Sequence, residues 1–149
     1  MDIERLAYYD FFAANPFAVV PRDDADARAK LRHAAFAENQ LSYASTGSRF
    51  ANRRRRLQYD VARGVALGVV EARSRGWGVT LRGSEISEGF TSLYAAQFRV
   101  SVSVVHAQLR KLSDAQLNKH AKTWLRTPSL LLDLYESLEL DSRMEGSAP

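Results

Sequence analysis

The stretch from Ser48 to Gly83, SRFANRRRRLQYDVARGVALGVVEARSRGWGVTLRG, restricts the fold more than any other part of the chain. Arg53 to Arg56 lead into apolar residues at Leu57, Val61, Val65 and Ala66, which is helical spacing. Ser48 or Asn52 can cap this helix, and Gly68 closes it, as a glycine just past a helix often does. Two β-rich runs follow. Val69 and Val70 begin the first, and Trp77, Val79 and Leu81 alternate with Gly78 and Thr80 in the second. Ala72 to Gly76 forms the polar turn between them. A helix that runs into a hairpin is the ending of a winged helix-turn-helix, whether the chain reads DNA or only borrows the shape.

Upstream, Ile3 to Ala14 predicts a helix. Apolar residues nearly surround it, so it should be well buried. Asp10 in such a helix needs a partner, and an ion pair with one of the later arginines outweighs a catalytic role. Pro16 stops the helix. Phe17 to Pro21 reads as extended, and Pro21 with Asp23-Asp24 as a turn. Asp23 or Asp24 can cap a second helix from Ala25 to about Glu38, with Leu31, Ala34 and Phe36 buried; its weak stripe also fits a loop with one or two helical turns. Gln40 to Ser48 is a loop.

Downstream of the hairpin, Ser84, Ser87 and Glu88 offer caps for another helix. Phe90, Leu93, Tyr94 and Phe98 then recur at helical spacing. Phe98 to Val105, FRVSVSVV, alternates like a strand, but it holds no breaker and its flanks are helical, so helix is the expectation. Val105, Gln108, Leu109 and Leu112 continue that register. Ser113 restarts the chain as an N-cap for a helix through Leu117 to about Leu125. Pro128 opens a last helix with a stripe of Leu130, Leu131, Leu134, Tyr135 and Leu138. Residues 141–149 are expected to form a disordered tail, leaving one domain over residues 1–140. The fold class is therefore mainly α with a small β-hairpin, a winged helix-turn-helix-like core plus C-terminal helices.

Charge is segregated. Residues 1–48 carry five Lys/Arg and seven Asp/Glu, residues 49–126 fifteen and five, and residues 127–149 one and five. A basic middle of this kind marks a nucleic-acid surface or an acidic protein partner, or simply neutralises the acidic ends. With no cysteine, thiol chemistry and disulfides are excluded. The N-terminus lacks a signal-peptide pattern and no apolar run approaches the ~18 residues of a membrane span, so a cytoplasmic protein is expected. His33, His106 and His120 lie far apart without metal-ligand spacing, and no phosphate-binding glycine loop or nucleophile elbow occurs. No catalytic, cofactor-binding or metal-binding residue is assigned.

The arginines are the sharpest feature. Four consecutive helical residues cover almost a full turn, so Arg53 to Arg56 cannot share one face. Leu57, Val61 and Val65 place Arg53 and Arg54 toward the core and leave Arg55, Arg56 and Arg63 more exposed. Arg73 and Arg75 join them from the hairpin turn. These seven form the expected basic contact surface, for DNA or an acidic partner. Trp77 suits packing of the hairpin on the core better than base stacking.

The order of elements resembles the middle component of ABC three-component systems, encoded between a coiled-coil SMC/Rad50-like ATPase and an effector, as in Lamassu-type anti-phage defence. Arg5 to Phe12 (RLAYYDFF) is similar to that family's "RL…LDY" opening helix. The Arg53–Leu67 helix, Gly68-Val69-Val70-Glu71 before a hairpin ending at Leu81, and Ser92-Leu93-Tyr94 are similar to its later motifs. The resemblance covers roughly residues 3–125; the loop from Arg22 to Ser48 and the FRVSVSVV alternation depart from it. It implies a non-enzymatic adaptor linking the ATPase to an effector, its arginines meeting either an acidic ATPase surface or double-stranded DNA. The first helix and the leucine-striped last helix would be its protein-binding faces. The alternatives are a stand-alone winged-helix transcriptional regulator and, behind it, a small enzyme with a dispersed site.

Overall fold

The computed structural model describes residues 1–38 and 45–125. Within them the chain is mainly α, with six α-helices and one antiparallel hairpin. In order these are α1 (Ile3–Ala14), α2 (Ala25–His33), α3 (Thr46–Ala66), β1 (Val70–Arg73), β2 (Gly76–Val79), α4 (Leu81–Glu88), α5 (Leu93–Leu109) and α6 (Asp114–Trp124). The segment after α1 is not extended from Phe17, because Pro16–Ala18 forms a 3-10 turn. Proline suits the first position of such a turn, and the Asn15 side chain holds it by donating to Phe11 O at 2.9 Å.

α1 is the axis of the core. Phe11 and Phe12 are buried with Val105 and Leu109 of α5 and Leu117 and Ala121 of α6, while Phe50 of α3 and Trp124 of α6 close the sides. Burying one phenylalanine side chain is worth about 1.5–3 kcal/mol. The apolar content of α1 is thus used inside the molecule, as its sequence predicts, which leaves little of it for the protein-binding face that the family resemblance implied. α5 runs antiparallel to α1, with Ser101 beside Ala13 and Leu109 beside Arg5.

The alternating stretch Phe98–Val105 lies wholly within α5. Its inward residue is a serine. The buried Ser101 hydroxyl donates to Ala13 O at 2.6 Å, a carbonyl in the last turn of α1 with no helical partner of its own. Val105 and Leu109 extend that stripe in steps of four, while Val100 and Val102 are exposed.

Asp24 caps α2 by accepting from Ala27 N, but the helix ends at His33, short of Glu38. Phe36 N donates to Leu31 O and Ala35 N to Arg32 O, the closing pair of a Schellman motif. Arg28 and Arg32 hold Glu38 beyond it at 2.8 and 2.6 Å. α3 starts at Thr46 with Ser45 as its cap, earlier than Ser48 or Asn52 would place it. It ends as expected at Gly68, whose φ of 69° allows Val69 N to reach Gly64 O at 2.9 Å.

The hairpin pairs Val70 with Val79 and Arg73 with Gly76, so its turn is only Ser74-Arg75, tighter than Ala72 to Gly76. Leu81 is not a strand residue. Thr80, rather than Ser84, caps α4: its Oγ1 accepts from Gly83 N and donates to Gly68 O at 2.7 Å. The outer edge of β2 pairs with the chain's first residue, Trp77 N donating to Met1 O at 2.8 Å and the Met1 ammonium to Trp77 O at 3.1 Å. Ser113 caps α6 through a reciprocal capping box with Gln116. The expected last helix from Pro128, with Leu130, Leu131, Leu134, Tyr135 and Leu138, and the tail 141–149 lie outside the described residues.

Candidate interaction surfaces

The inward arc of α3 carries Phe50, Arg53, Arg54, Leu57, Val61 and Gly64, the last touching the hairpin through Val69 and Val70. Two arginines are therefore turned onto α1. Arg53 grips Asp10 with both forks, Nε to Oδ2 at 2.6 Å and Nη2 to Oδ1 at 2.9 Å. This pairing raises the guanidinium's pKa above its ordinary value, against the opposing effect of burial. Arg54 pairs with Glu4, and its Nε is buried without a partner. Arg49, one turn earlier, donates to the Asn15 side chain at 2.6 Å. The apolar first helix thus carries its two acids facing α3, and α3 answers with cations at four-residue and one-residue steps.

Arg73 is also committed. Its guanidinium donates to Glu71 at 2.9 Å and to Val79 O at 3.0 Å, lying over Gly78 where a side chain would collide with it. The seven expected contact arginines therefore divide. Arg53, Arg54 and Arg73 are bound within the fold, while Arg55, Arg56, Arg63 and Arg75 are exposed and their side chains make no hydrogen bond or ion pair among the described residues. Arg55, Arg56 and Arg63 share the outward arc of α3 with Asn52 and with Tyr59, which is 73% exposed. Tyr59 did not stand out in the sequence; its four-residue spacing from Arg55 and Arg63 is the signal that would have found it.

Beside this arc is a groove of about 620 Å³ lined by Asp10, Arg49, Arg53, Arg56 and Asp60. Asp10 is already neutralised by Arg53, which leaves Asp60, Arg56 and Arg49, the last bonded only to the neutral Asn15 amide, as the charges there without an ion-pair partner among the described residues. Each histidine has a structural contact: His33 with Ala29 O at 2.8 Å, His106 against the Tyr9 ring and His120 stacked on Trp124. Among the described residues no three acids or histidines gather as metal ligands.

A second exposed segment, from Val79 to Tyr94, carries large apolar side chains alongside the charges of Arg82, Glu85 and Glu88. Leu81 is 79% exposed, Leu93 74% and Tyr94 73%, with Val79, Ile86 and Phe90 exposed between them. The helical spacing of Phe90, Leu93, Tyr94 and Phe98 points to a core face, yet only Phe98 is partly covered. The reason is length. α1 ends at Ala14, opposite Ser101, while α5 begins eight residues before Ser101, so its first turns extend past the helix that would cover them. Among the described residues no helix is long and apolar enough to cross a membrane.

No protein-family model matches the chain, and no curated protein or solved structure matches it. The fold and these two surfaces are therefore what a functional reading rests on.

Proposed function

We propose that the chain acts by contact rather than by chemistry, as a non-enzymatic adaptor subunit in the cytoplasm. The assembly is of the kind its sequence resembles: a prokaryotic anti-phage defence complex in which it links an SMC/Rad50-like ATPase to an effector. The observation that carries this reading is the exposure of six large apolar side chains, Val79, Leu81, Ile86, Phe90, Leu93 and Tyr94, within sixteen residues of chain. Monomeric proteins rarely leave large side chains open in such concentration unless a partner covers them, and aromatic anchors among aliphatic residues are what binding hot spots use. The fold supports the reading in a second way: the hairpin and α4 are held by backbone and cap bonds at Thr80 and Gly83 rather than by a deep core, which leaves their side chains available.

The first check is genomic: the reading requires genes for a coiled-coil ATPase and an effector beside this one. The second is reconstitution of the full chain with that purified ATPase. Leu81→Asp together with Phe90→Ser should abolish co-elution while leaving the circular dichroism spectrum unchanged. A complex that survives both substitutions would overturn this interface.

A further inference from the structure

The outward arc of α3 is a basic face on which Tyr59 is the one large apolar ring. Steps of three, four and seven residues join Asn52, Arg55, Arg56, Tyr59 and Arg63, so all five fall within about 100° of the helix circumference. The three guanidinium groups have no partner among the described residues, whereas their neighbours Arg53 and Arg54 are neutralised on α1. We infer that this face binds the backbone of double-helical DNA, with Arg55, Arg56 and Arg63 on phosphates and Tyr59 and Asn52 between them toward the groove.

Dimensions and composition favour that occupant. Arg56 and Arg63 are seven residues apart, about 10.5 Å along the axis. The major groove of B-DNA is about 12 Å wide and admits one helix. Long side chains at the two ends of the face can therefore reach phosphates on both lips. The major groove of double-stranded RNA is too deep and narrow for the same approach. An acidic protein partner would draw on an apolar interface centre, and apart from Tyr59 this face offers no large apolar side chain: the exposed aliphatic residues of α3, Val65 and its C-cap Leu67, lie beyond Arg63. Asp60 is the nearest acid; it follows Tyr59 and lines the groove shared with Arg49 and Arg53, at the flank of the face. Arg73 is excluded from the site because Glu71 and Val79 O already hold it.

This inference stands apart from the adaptor reading, which rests on the exposed apolar side chains from Val79 to Tyr94, and the two fail separately. The test is fluorescence anisotropy of the full chain with a short labelled DNA duplex across a salt series. Three phosphate contacts give a log–log salt slope of about −2.7, a weakening of about 40-fold between 50 and 200 mM salt. Arg55→Gln, Arg56→Gln and Arg63→Gln should each reduce the slope by about 0.9. Arg73→Gln and Lys119→Gln, the latter an exposed charge on α6, should leave it unchanged. Circular dichroism confirms that each variant is folded. Leu81→Asp should bind duplex DNA normally, whatever it does to a protein partner. Absence of duplex binding at 50 mM salt, equal affinity for duplex RNA or polyglutamate, or a slope that falls as much with Lys119→Gln would overturn the inference.

Discussion

A guanidinium keeps its charge at any working pH, so the role of an arginine is decided by what its five donors meet. Arg53 meets both oxygens of Asp10, while Arg55, two residues on, meets solvent. The Arg53 side chain is 40% exposed, so solvent screens the pair and its worth is modest. Arg53→Ala or Asp10→Ala should each cost about 1 kcal/mol, and a double-mutant cycle by urea unfolding should show coupling of roughly 0.5–1 kcal/mol; strictly additive losses would mean the contact contributes nothing. Glu38 gives a pH signature. The Arg28 and then the Arg32 guanidinium hold its carboxyl below the ordinary range. A carboxyl that titrates lower in the folded chain stabilises the fold when ionised. Its contribution is complete above about pH 4.3, the unfolded value, and is lost as the pH falls through the lower folded value. Thermal melts below pH 4 should therefore show a smaller acid-induced fall in Tm for Glu38→Gln than for the parent chain. At this scale the sequence was informative wherever chemistry forces a partner. An acid on an apolar helix requires a cation, and 3.6 residues per turn determine which arginines can turn inward. Arg73 was not legible, because its partners are a neighbouring carboxylate and a backbone carbonyl brought together only by the hairpin register.

Elements begin and end where a cap outcompetes the pattern, and the hairpin-to-α4 junction shows the competition. Trp77, Val79 and Leu81 alternate as a strand would, yet the Thr80 hydroxyl bonds both Gly83 N and Gly68 O and turns the chain into a helix one residue before the alternation ends. Gly83 makes this possible. A side chain there would collide with the Val69 carbonyl oxygen and with Val79. Alanine is favoured over glycine in a helix by about 1 kcal/mol, but overpacking against a backbone atom costs roughly 1–3 kcal/mol. Gly83→Ala should therefore lower Tm, by an amount matching a net loss of about 1 kcal/mol; a rise in Tm would show that α4 is not clamped to the hairpin. The same competition explains which boundaries were readable. Gly68 and Ser113 act through their own backbone and side chain, and both were evident. The Ser45 cap was hidden in a run of serines and threonines that offers several equivalent starts. The alternation of FRVSVSVV did not make it a strand: it lies within α5 as expected, with Ser101 and Val105 turned inward four residues apart.

Across the whole molecule, the mainly α fold with its hairpin followed from periodicity and punctuation, but the use of its apolar surface did not. Periodicity reports that a helix has an apolar face; it does not report whether another element is long enough to cover that face. The first helix, expected both to be well buried and to offer a protein-binding face, is the centre of the core, whereas the start of α5 looked like core and is open to solvent. That central position also governs how the chain acquires its structure. Arg5 hydrogen-bonds Leu109 O, Leu112 O and Asp114, and Phe12 packs on Trp124, so the contacts that bury α1 span more than 100 residues of chain. At 5–20 residues per second on a ribosome, α1 waits roughly 5–20 s between its own emergence and that of α5. Throughout that interval its phenylalanines have no permanent cover. Nascent chains arrested before residue 90 should be digested rapidly by added protease, and chains arrested with residue 125 clear of the exit tunnel should resist it; early resistance would mean that α1 and α3 form a stable unit by themselves.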